Sequence, residues 1–246
     1  MDFLALKDIA ERYMEVVNPT SPEKLLAAGQ AAGLRPGQQV VDYGCGYGEM
    51  LALWAEHFGI GGLGLDLRPN ACQRARQKMS ERGLAGRIEI VCANGRDYPV
   101  RLGHYDVATC IGATFIWPDL PAALRALKEK IKPTGRLVIG EAYWRRSQAP
   151  PEYVRGESTI LTEYEVLQTI RQGGFELNWV RHAGREEWDR YESGNWEGLL
   201  GWLAENPDHP ERQDVLTHLR ETQDEYTRYG REYFGWALYV LRPIID

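Results

Sequence analysis

The sequence predicts a doubly wound α/β fold, a parallel sheet covered by helices on both faces. Three observations carry that expectation. Strand-like apolar runs and helix-like periodicities alternate from Gln39 onward, and parallel strands joined by crossover helices bury such a series. The first buried run ends in a glycine-rich turn that opens a helix, Val40-Val41-Asp42-Tyr43-Gly44-Cys45-Gly46-Tyr47-Gly48-Glu49. The chain has 246 residues, which fits one such domain with additions better than two full ones. Residues 1–246 therefore read as a single domain, with ligands expected at the carboxyl ends of the strands.

Ahead of the sheet the chain is helical. Leu6, Ile9, Ala10, Tyr13, Met14 and Val17 recur at helical spacing. Asn18-Pro19 ends that run, because the residue before proline is driven out of the helical region. Ser21 caps a second helix, with Pro22 at its first position, Lys24 to Ala32 as its body and Gly33 at its end. Residues 1–33 thus form an N-terminal helical extension, and Arg35-Pro36-Gly37 turns the chain.

The sheet follows. A strand is expected over Gln39 to Tyr43, a helix over Glu49 to Phe58, and a second strand over Gly61 to Leu67. Pro69 or Asn70 opens a helix to about Arg82, ended by Gly83. Arg87 to Cys92 and Tyr105 to Ile111 read as the third and fourth strands. Asp119 to Ile131 reads as a helix stopped by Lys132-Pro133, and Arg136 to Ala142 as the fifth strand. Thr162 caps a helix through Arg171, Gly173-Gly174 breaks it, and Phe175 to His182 is extended. A helical insertion, 184–229, is split by Asn206-Pro207-Asp208, and a last strand covers about Phe234 to Leu241. Pattern alone leaves the direction of that strand open.

Composition narrows the function classes. The chain is 43% hydrophobic and 26% charged, as globular proteins are. A net charge of -6 carries no polyanion-binding signature, so no nucleic-acid partner is expected. Cys45, Cys72, Cys92 and Cys110 form no CxxC pair and have no His at zinc-ligand spacing. Free thiols in a reducing compartment, and no metal, are the expectation. The N-terminus is acidic at Asp2, Asp8, Glu11 and Glu15, unlike a signal peptide. The longest uncharged apolar run, about Val107 to Pro118, is well short of the roughly 18 residues that span a bilayer. A cytoplasmic protein with no membrane partner is expected; its oligomeric state is not encoded in any recognisable pattern.

The glycine turn concentrates the chemistry. Glycine permits positive φ and lets a ligand approach the backbone, and the helix start presents free N–H groups. A bare GxGxG serves dinucleotides, mononucleotides and adenosylmethionine alike. Asp42, two residues before Gly44, suits a ligand with positive charge near the turn and suits a pyrophosphate poorly. Its alternative role is a turn-capping carboxylate, and the two are compatible. Asp66 ends the second strand in Gly64-Leu65-Asp66-Leu67, 18 residues after Gly48 (66 − 48), where a carboxylate can accept from both ribose hydroxyls. No Lys-Ser/Thr follows the glycines, so this is not a triphosphate loop.

On these motifs the chain resembles the class I S-adenosylmethionine-dependent methyltransferases. VVDYGCGYG, the acid in GLDL, ANGRDY after the third strand, YDVATCIGA and KPTGRLVIGE fall in that family's order from about Gln38 to Ala142. A wider resemblance, to the YjhP-like bacterial methyltransferases, runs through Ile111-Gly112-Ala113-Thr114, Gly140-Glu141-Ala142-Tyr143-Trp144-Arg145, Glu187-Trp188-Asp189-Arg190-Tyr191-Glu192 and Phe234-Gly235-Trp236. The resemblance implies a Rossmann-like seven-stranded sheet with the last strand antiparallel, and S-adenosylmethionine as cofactor. It implies that Gly44, Cys45 and Gly46 face the methionine part, with Asp66 on the ribose and Leu67 on the adenine. Asn94, followed by Gly95, falls where the family usually has an adenine-binding Asp; its amide oxygen can accept, and Asp97 is the alternative acid. Cys110 and Ile111 would close the cofactor site, and Gly112 and Ala113 would leave room for methyl group and acceptor.

The acceptor side is rich in rings. Trp117, Tyr143, Trp144, Tyr153, Trp188, Tyr191, Trp196 and Trp236 fall where the family places its acceptor pocket. Such rings attract cations by roughly 0.5 to 2 kcal/mol each, or simply pack a lid onto the core. Trp117, Trp144 and Trp188 are the candidate substrate-binding rings. A base is needed only for an acceptor atom that still carries its proton at neutral pH. Glu141 leads the candidates, with Tyr143, His104 and His182 behind it, His104 reading as a surface residue. No Asp/Asn-Pro-Pro-aromatic sequence and no Pro-Cys pair is present, which disfavours the amino-methylating nucleic-acid enzymes and a covalent cytosine mechanism. A small-molecule methyltransferase with 184–229 as its lid is the leading expectation. A non-catalytic adenosylmethionine-binding regulator and an NAD-dependent dehydrogenase are the alternatives, the latter disfavoured by Asp42 and by the lack of a GxGxxG register.

Overall fold

A computed structural model describes residues 1–146 and 160–244. Two helices precede the sheet, α1 (Phe3–Ala10) and α2 (Pro22–Ala31). Then come β1 (Gln39–Tyr43), α3 (Glu49–Phe58), β2 (Gly61–Asp66), α4 (Pro69–Glu81), β3 (Ile88–Cys92) and β4 (Tyr105–Ile111). A short 3-10 turn at Thr114–Ile116 leads to α5 (Leu120–Lys128) and β5 (Ile131–Trp144). Beyond residue 159 lie α6 (Glu163–Gln172), β6 (Phe175–His182), α7 (Arg185–Glu205), α8 (Arg212–Glu225), a π-helical turn Tyr226–Gly230, α9 (Arg231–Tyr233) and β7 (Phe234–Pro243).

The strands form one seven-stranded sheet in the order β3-β2-β1-β4-β5-β7-β6. The first five pair in parallel, and β7 inserts antiparallel between β5 and β6. The order reverses between β1 and β4, which opens a crevice at their carboxyl ends. Helices cover both faces, so the central strands are buried on both sides and read as continuous apolar runs. Leu25, Trp54 and Met79 from α2, α3 and α4 pack one face; Leu124, Leu127, Val166 and Ile170 from α5 and α6 pack the other. A third cluster, with Ala10, Leu199, Leu203, Val215 and Leu219, joins α1 to α7 and α8.

Local signals act where the sequence places them. The Ser21 side chain accepts the Lys24 N–H with Pro22 at the helix start, and Asp119 caps α5 on Ala122. Thr162 and Glu165 form a reciprocal capping box on α6. Two elements differ from expectation. The first helix stops at Ala10, not at Val17; Glu11 caps it with its N–H on Lys7 O, and its side chain meets Lys7 and Arg68. α5 stops at Lys128, and Ile131 already pairs with Tyr105. Pro133 sits exposed in a bulge of β5, where its missing N–H interrupts no ladder.

Candidate cofactor cleft and acceptor cavity

The tip of β2 and the turn after β1 are bound together. Gly44 and Cys45 donate their N–H groups to Leu65 O at 2.8 and 2.9 Å. The Asp66 carboxylate accepts Gly46 N–H and Arg68 N–H, each at 2.9 Å. Gly44 has a φ of 72°, and a Cβ there would lie 2.4 Å from Ala113 Cβ. Any side chain would close the approach to the turn. Asp42 is buried and accepts from the Thr109 hydroxyl at 2.6 Å. Burial raises its pKa to about 7, against the pull of that hydrogen bond. Burial likewise pushes the Cys45 and Cys110 thiols well up, so neither is a ready thiolate.

Asp42, Gly44, Cys45, Tyr47 and Ile111 line a narrow cleft, closed from above by the segment from Glu15 to Thr20, with an enclosed volume of about 40 Å³. Asn18 in that segment donates to Ile111 O at 3.2 Å and lies where a Gly112 side chain would be, 2.0 Å from the Cβ position. The Tyr47 hydroxyl is buried in the cleft wall without a described partner. Leu67 is 55% exposed beyond the acid. Asn94 donates to Asp97 at 2.7 Å and accepts Arg96 N–H, so the two alternative adenine-facing residues form one hydrogen-bonded loop. Gly95 packs where a side chain would strike the Tyr43 ring, 2.9 Å away. Cys110 points to the other face of the sheet, among Tyr43 and Ala113.

The side chains of an extended ion network reach this cleft from outside. Arg68 binds Glu11 at 2.7 Å, Asp8 at 3.2 Å and Asp66 at 3.5 Å. Lys7 binds Glu11 at 2.8 Å and donates to the Tyr191 hydroxyl at 2.9 Å. Asp66, α1 and α7 are thereby connected through Arg68, Glu11, Lys7 and Tyr191.

Beyond Gly112 and Asn18 opens a cavity of about 1080 Å³. Glu141 lines it, accepts from Thr114 Oγ1, and is held above the usual carboxylate range by burial. Trp117 lines it and packs on Tyr43 with ring centroids 5.2 Å apart. Trp236 lies against Gly140, 2.4 Å from where a Cβ would be. From α7 and the π-turn come Trp188 and Tyr226, stacked at 6.4 Å, with Phe234 beside Trp188. The other sequence candidates lie elsewhere. Tyr143 packs over Gly235 beside the His182 ring, outside the described lining. Trp144 packs on Phe234 and also lies outside it. His182 pairs with Glu163, and His104 packs on Tyr105. Trp196 packs on Tyr226. Tyr153 falls outside the described residues. No His, Cys, Asp and Glu group fit to hold a metal occurs among the described residues.

Sequence reasoning missed Asn18, Arg68, Thr109, Thr114, Glu192 and Tyr226. Thr109 and Thr114 each flank a strand end already singled out, which is a usable signal. Asn18 shows only its helix-stopping role in sequence. Arg68 meets its partners far along the chain, and no local pattern marks it or Glu192.

A reversed strand order, an antiparallel β7, and an acid bound to a glycine turn define a class I S-adenosylmethionine-dependent methyltransferase. The chain belongs to that family. Residues 40–135 match the family model described as methyltransferase domain. The crystal structure of an S-adenosylmethionine-dependent methyltransferase from Geobacter sulfurreducens, in complex with S-adenosyl-L-homocysteine, superposes with a TM-score of 0.91 at 34% identity, covering 98% of this chain and 99% of that one. YjhP of Escherichia coli K12 is 32% identical over 98% of this chain and 99% of its own length. The nocamycin O-methyltransferase of Saccharothrix syringae is 29% identical over 53% of this chain and 42% of its own. S-adenosylmethionine is accordingly the cofactor. No helix among the described residues is long and apolar enough to cross a membrane.

Proposed function

We propose that this methyltransferase acts on a small-molecule acceptor held in the cavity beside the cofactor cleft. The carrying observation is the cavity itself: about 1080 Å³, ring-lined, and bordered by Asn18, which also lines the cleft. That volume is on the scale of small-ligand sites, about 300–1,000 Å³, and rings with a few polar groups line such sites. A relative named for O-methylation of nocamycin adds support for a small acceptor.

The residues divide the work. Asp66 holds the ribose hydroxyls with the lone pairs that the Gly46 and Arg68 N–H groups leave over. Asp42, at the base of the cleft, balances the positive methionine end. Leu67 covers the adenine, and Asn94 or Asp97 accepts from its amino group. The cofactor supplies a methyl group already activated on a sulfonium, so alignment and a dry site are the protein's main contribution. Gly112 and Ala113 keep the wall low where acceptor and donor meet. Glu141, bordering that wall, takes the acceptor's proton when the attacking atom carries one. Helices α7 and α8 form the lid over the acceptor.

The test is transfer of isotopically labelled methyl from S-adenosylmethionine into a metabolite extract, a protein extract and total RNA and DNA. Label is expected in the small-molecule fraction. Label confined to macromolecules, or no transfer with tight cofactor binding, would favour a macromolecular acceptor or a non-catalytic role.

A further inference from the structure

The inference deepens the small-acceptor reading and rests on it. Besides Glu141, a second carboxylate reaches the cavity, from α7. Glu192 lines the wall, is partly buried, and makes no hydrogen bond or ion pair with a described residue. Lys7, whose charge is felt at Glu192, is itself engaged with Glu11 and the Tyr191 hydroxyl and lies over the Tyr191 ring at 5.6 Å. Glu225, on α8, lines the same wall and adds negative charge beside it. Around Glu192 stand the rings of Trp188, Tyr191 and Tyr226, with Trp188 6.2 Å from Tyr191 and 6.4 Å from Tyr226. A carboxylate withdrawn from water needs a counter-charge or a proton, and ring faces favour a cation in the same place. An anionic group there would meet the Glu192 carboxylate.

We propose that Glu192 is a specificity determinant that selects acceptors carrying a positively charged nitrogen, seated beside the Trp188 and Tyr226 rings while the methyl-accepting atom lies at the Gly112 and Glu141 end. Burial, opposed in part by Lys7 and aided by Glu225, holds the Glu192 pKa at about 7, which marks the cost that a cation bound at the carboxylate removes.

The experiment titrates protein saturated with S-adenosylhomocysteine, by calorimetry, with 4-phenylbutylamine, 4-phenylbutanol and 4-phenylbutyrate. The amine is expected to bind at least about 10-fold more tightly than the alcohol, and the carboxylate least. Glu192→Gln should erase most of that preference, and Glu192→Asp, which keeps the charge, should retain it. Equal binding of amine and alcohol, absence of amine binding, or a preference that survives in Glu192→Gln overturns the inference. Failure to bind S-adenosylhomocysteine at all would instead remove the methyltransferase reading beneath it.

Discussion

Asp66 at the end of β2 accepts the backbone N–H of Gly46 at 2.9 Å, so the acid and the glycine turn move as one unit. The same carboxylate accepts Arg68 N–H, which fixes its second oxygen. One side chain therefore shapes the turn and, on the proposed reading, also holds the ribose. Asp66→Ala removes both functions. Its affinity for S-adenosylhomocysteine is expected to fall at least about 30-fold, roughly 2 kcal/mol, as charge-assisted hydrogen bonds of this kind are worth. Calorimetry measures it, and an affinity within threefold of the parent would contradict the assignment.

Gly44 and Gly83 share positive φ, 72° and 67°, but only Gly44 is crowded, with Ala113 Cβ 2.4 Å from its Cβ position and nothing within 4 Å at Gly83. Each Ala substitution carries backbone strain of roughly 1–3 kcal/mol. Gly44→Ala adds a collision that must displace β4's end. Urea denaturation should show Gly44→Ala as the more destabilised by about 1 kcal/mol or more, with cofactor affinity lost in that variant alone. Equal stability of the two variants would show that the turn has slack the geometry denies.

Asp42 links the cleft to pH. Its pKa is raised from 3.8 to about 7 by burial. Between those values the folded protein holds a proton that the unfolded chain has lost. Its contribution to stability is thus full below about pH 4 and is lost as pH rises through about 7. Asp42→Asn should flatten the stability profile over that window. A cationic methionine end draws the carboxyl toward ionisation, so binding near pH 6.5 should release a fraction of a proton, read from the buffer dependence of the binding enthalpy. Zero release, with a profile unchanged in Asp42→Asn, would place the charge elsewhere.

Glu11 is 1% exposed and bridges Lys7 and Arg68 at 2.8 and 2.7 Å. Removing one partner of a buried ion pair leaves the other desolvated and unpaired, at about 3–5 kcal/mol. Glu11→Ala should therefore approach about 3 kcal/mol of destabilisation in urea, the partly exposed Lys7 recovering some hydration. Because Arg68 also meets Asp66, the variant should weaken S-adenosylhomocysteine binding as well. A loss below about 1 kcal/mol would show that the network is ornamental to the fold.

Much of the architecture was legible because its signals are local. β1, α3, β4 and β6 fall on the predicted residues, since buried runs, glycine stops and caps act within a few positions. The Pro133 boundary was misread because a proline tolerated in an edge bulge looks like one that ends a helix. The early end of α1 was illegible for a different reason: apolar residues keep helical spacing from Leu6 to Val17, straight past the turn at residues 11–13. The glycine turn was readable as a motif, strand to turn to helix. The cavity was not, because Asn18, Thr114, Glu141, Glu192 and Tyr226 converge only in three dimensions. Tyr143 and Trp144 lie just past the expected end of the strand at Ala142; β5 runs on through them, and packing on Gly235 and Phe234 keeps them out of the cavity lining.

The central claim is that donor and acceptor sites meet at Gly112. A crystal structure of the complex with S-adenosylhomocysteine tests it most directly, through the position of the sulfur. The account places the ribose on Asp66 and the sulfur beside Gly112, with an open path to Glu141 in the large cavity. A sulfur walled off from that cavity by Asn18 or Ala113 would contradict it.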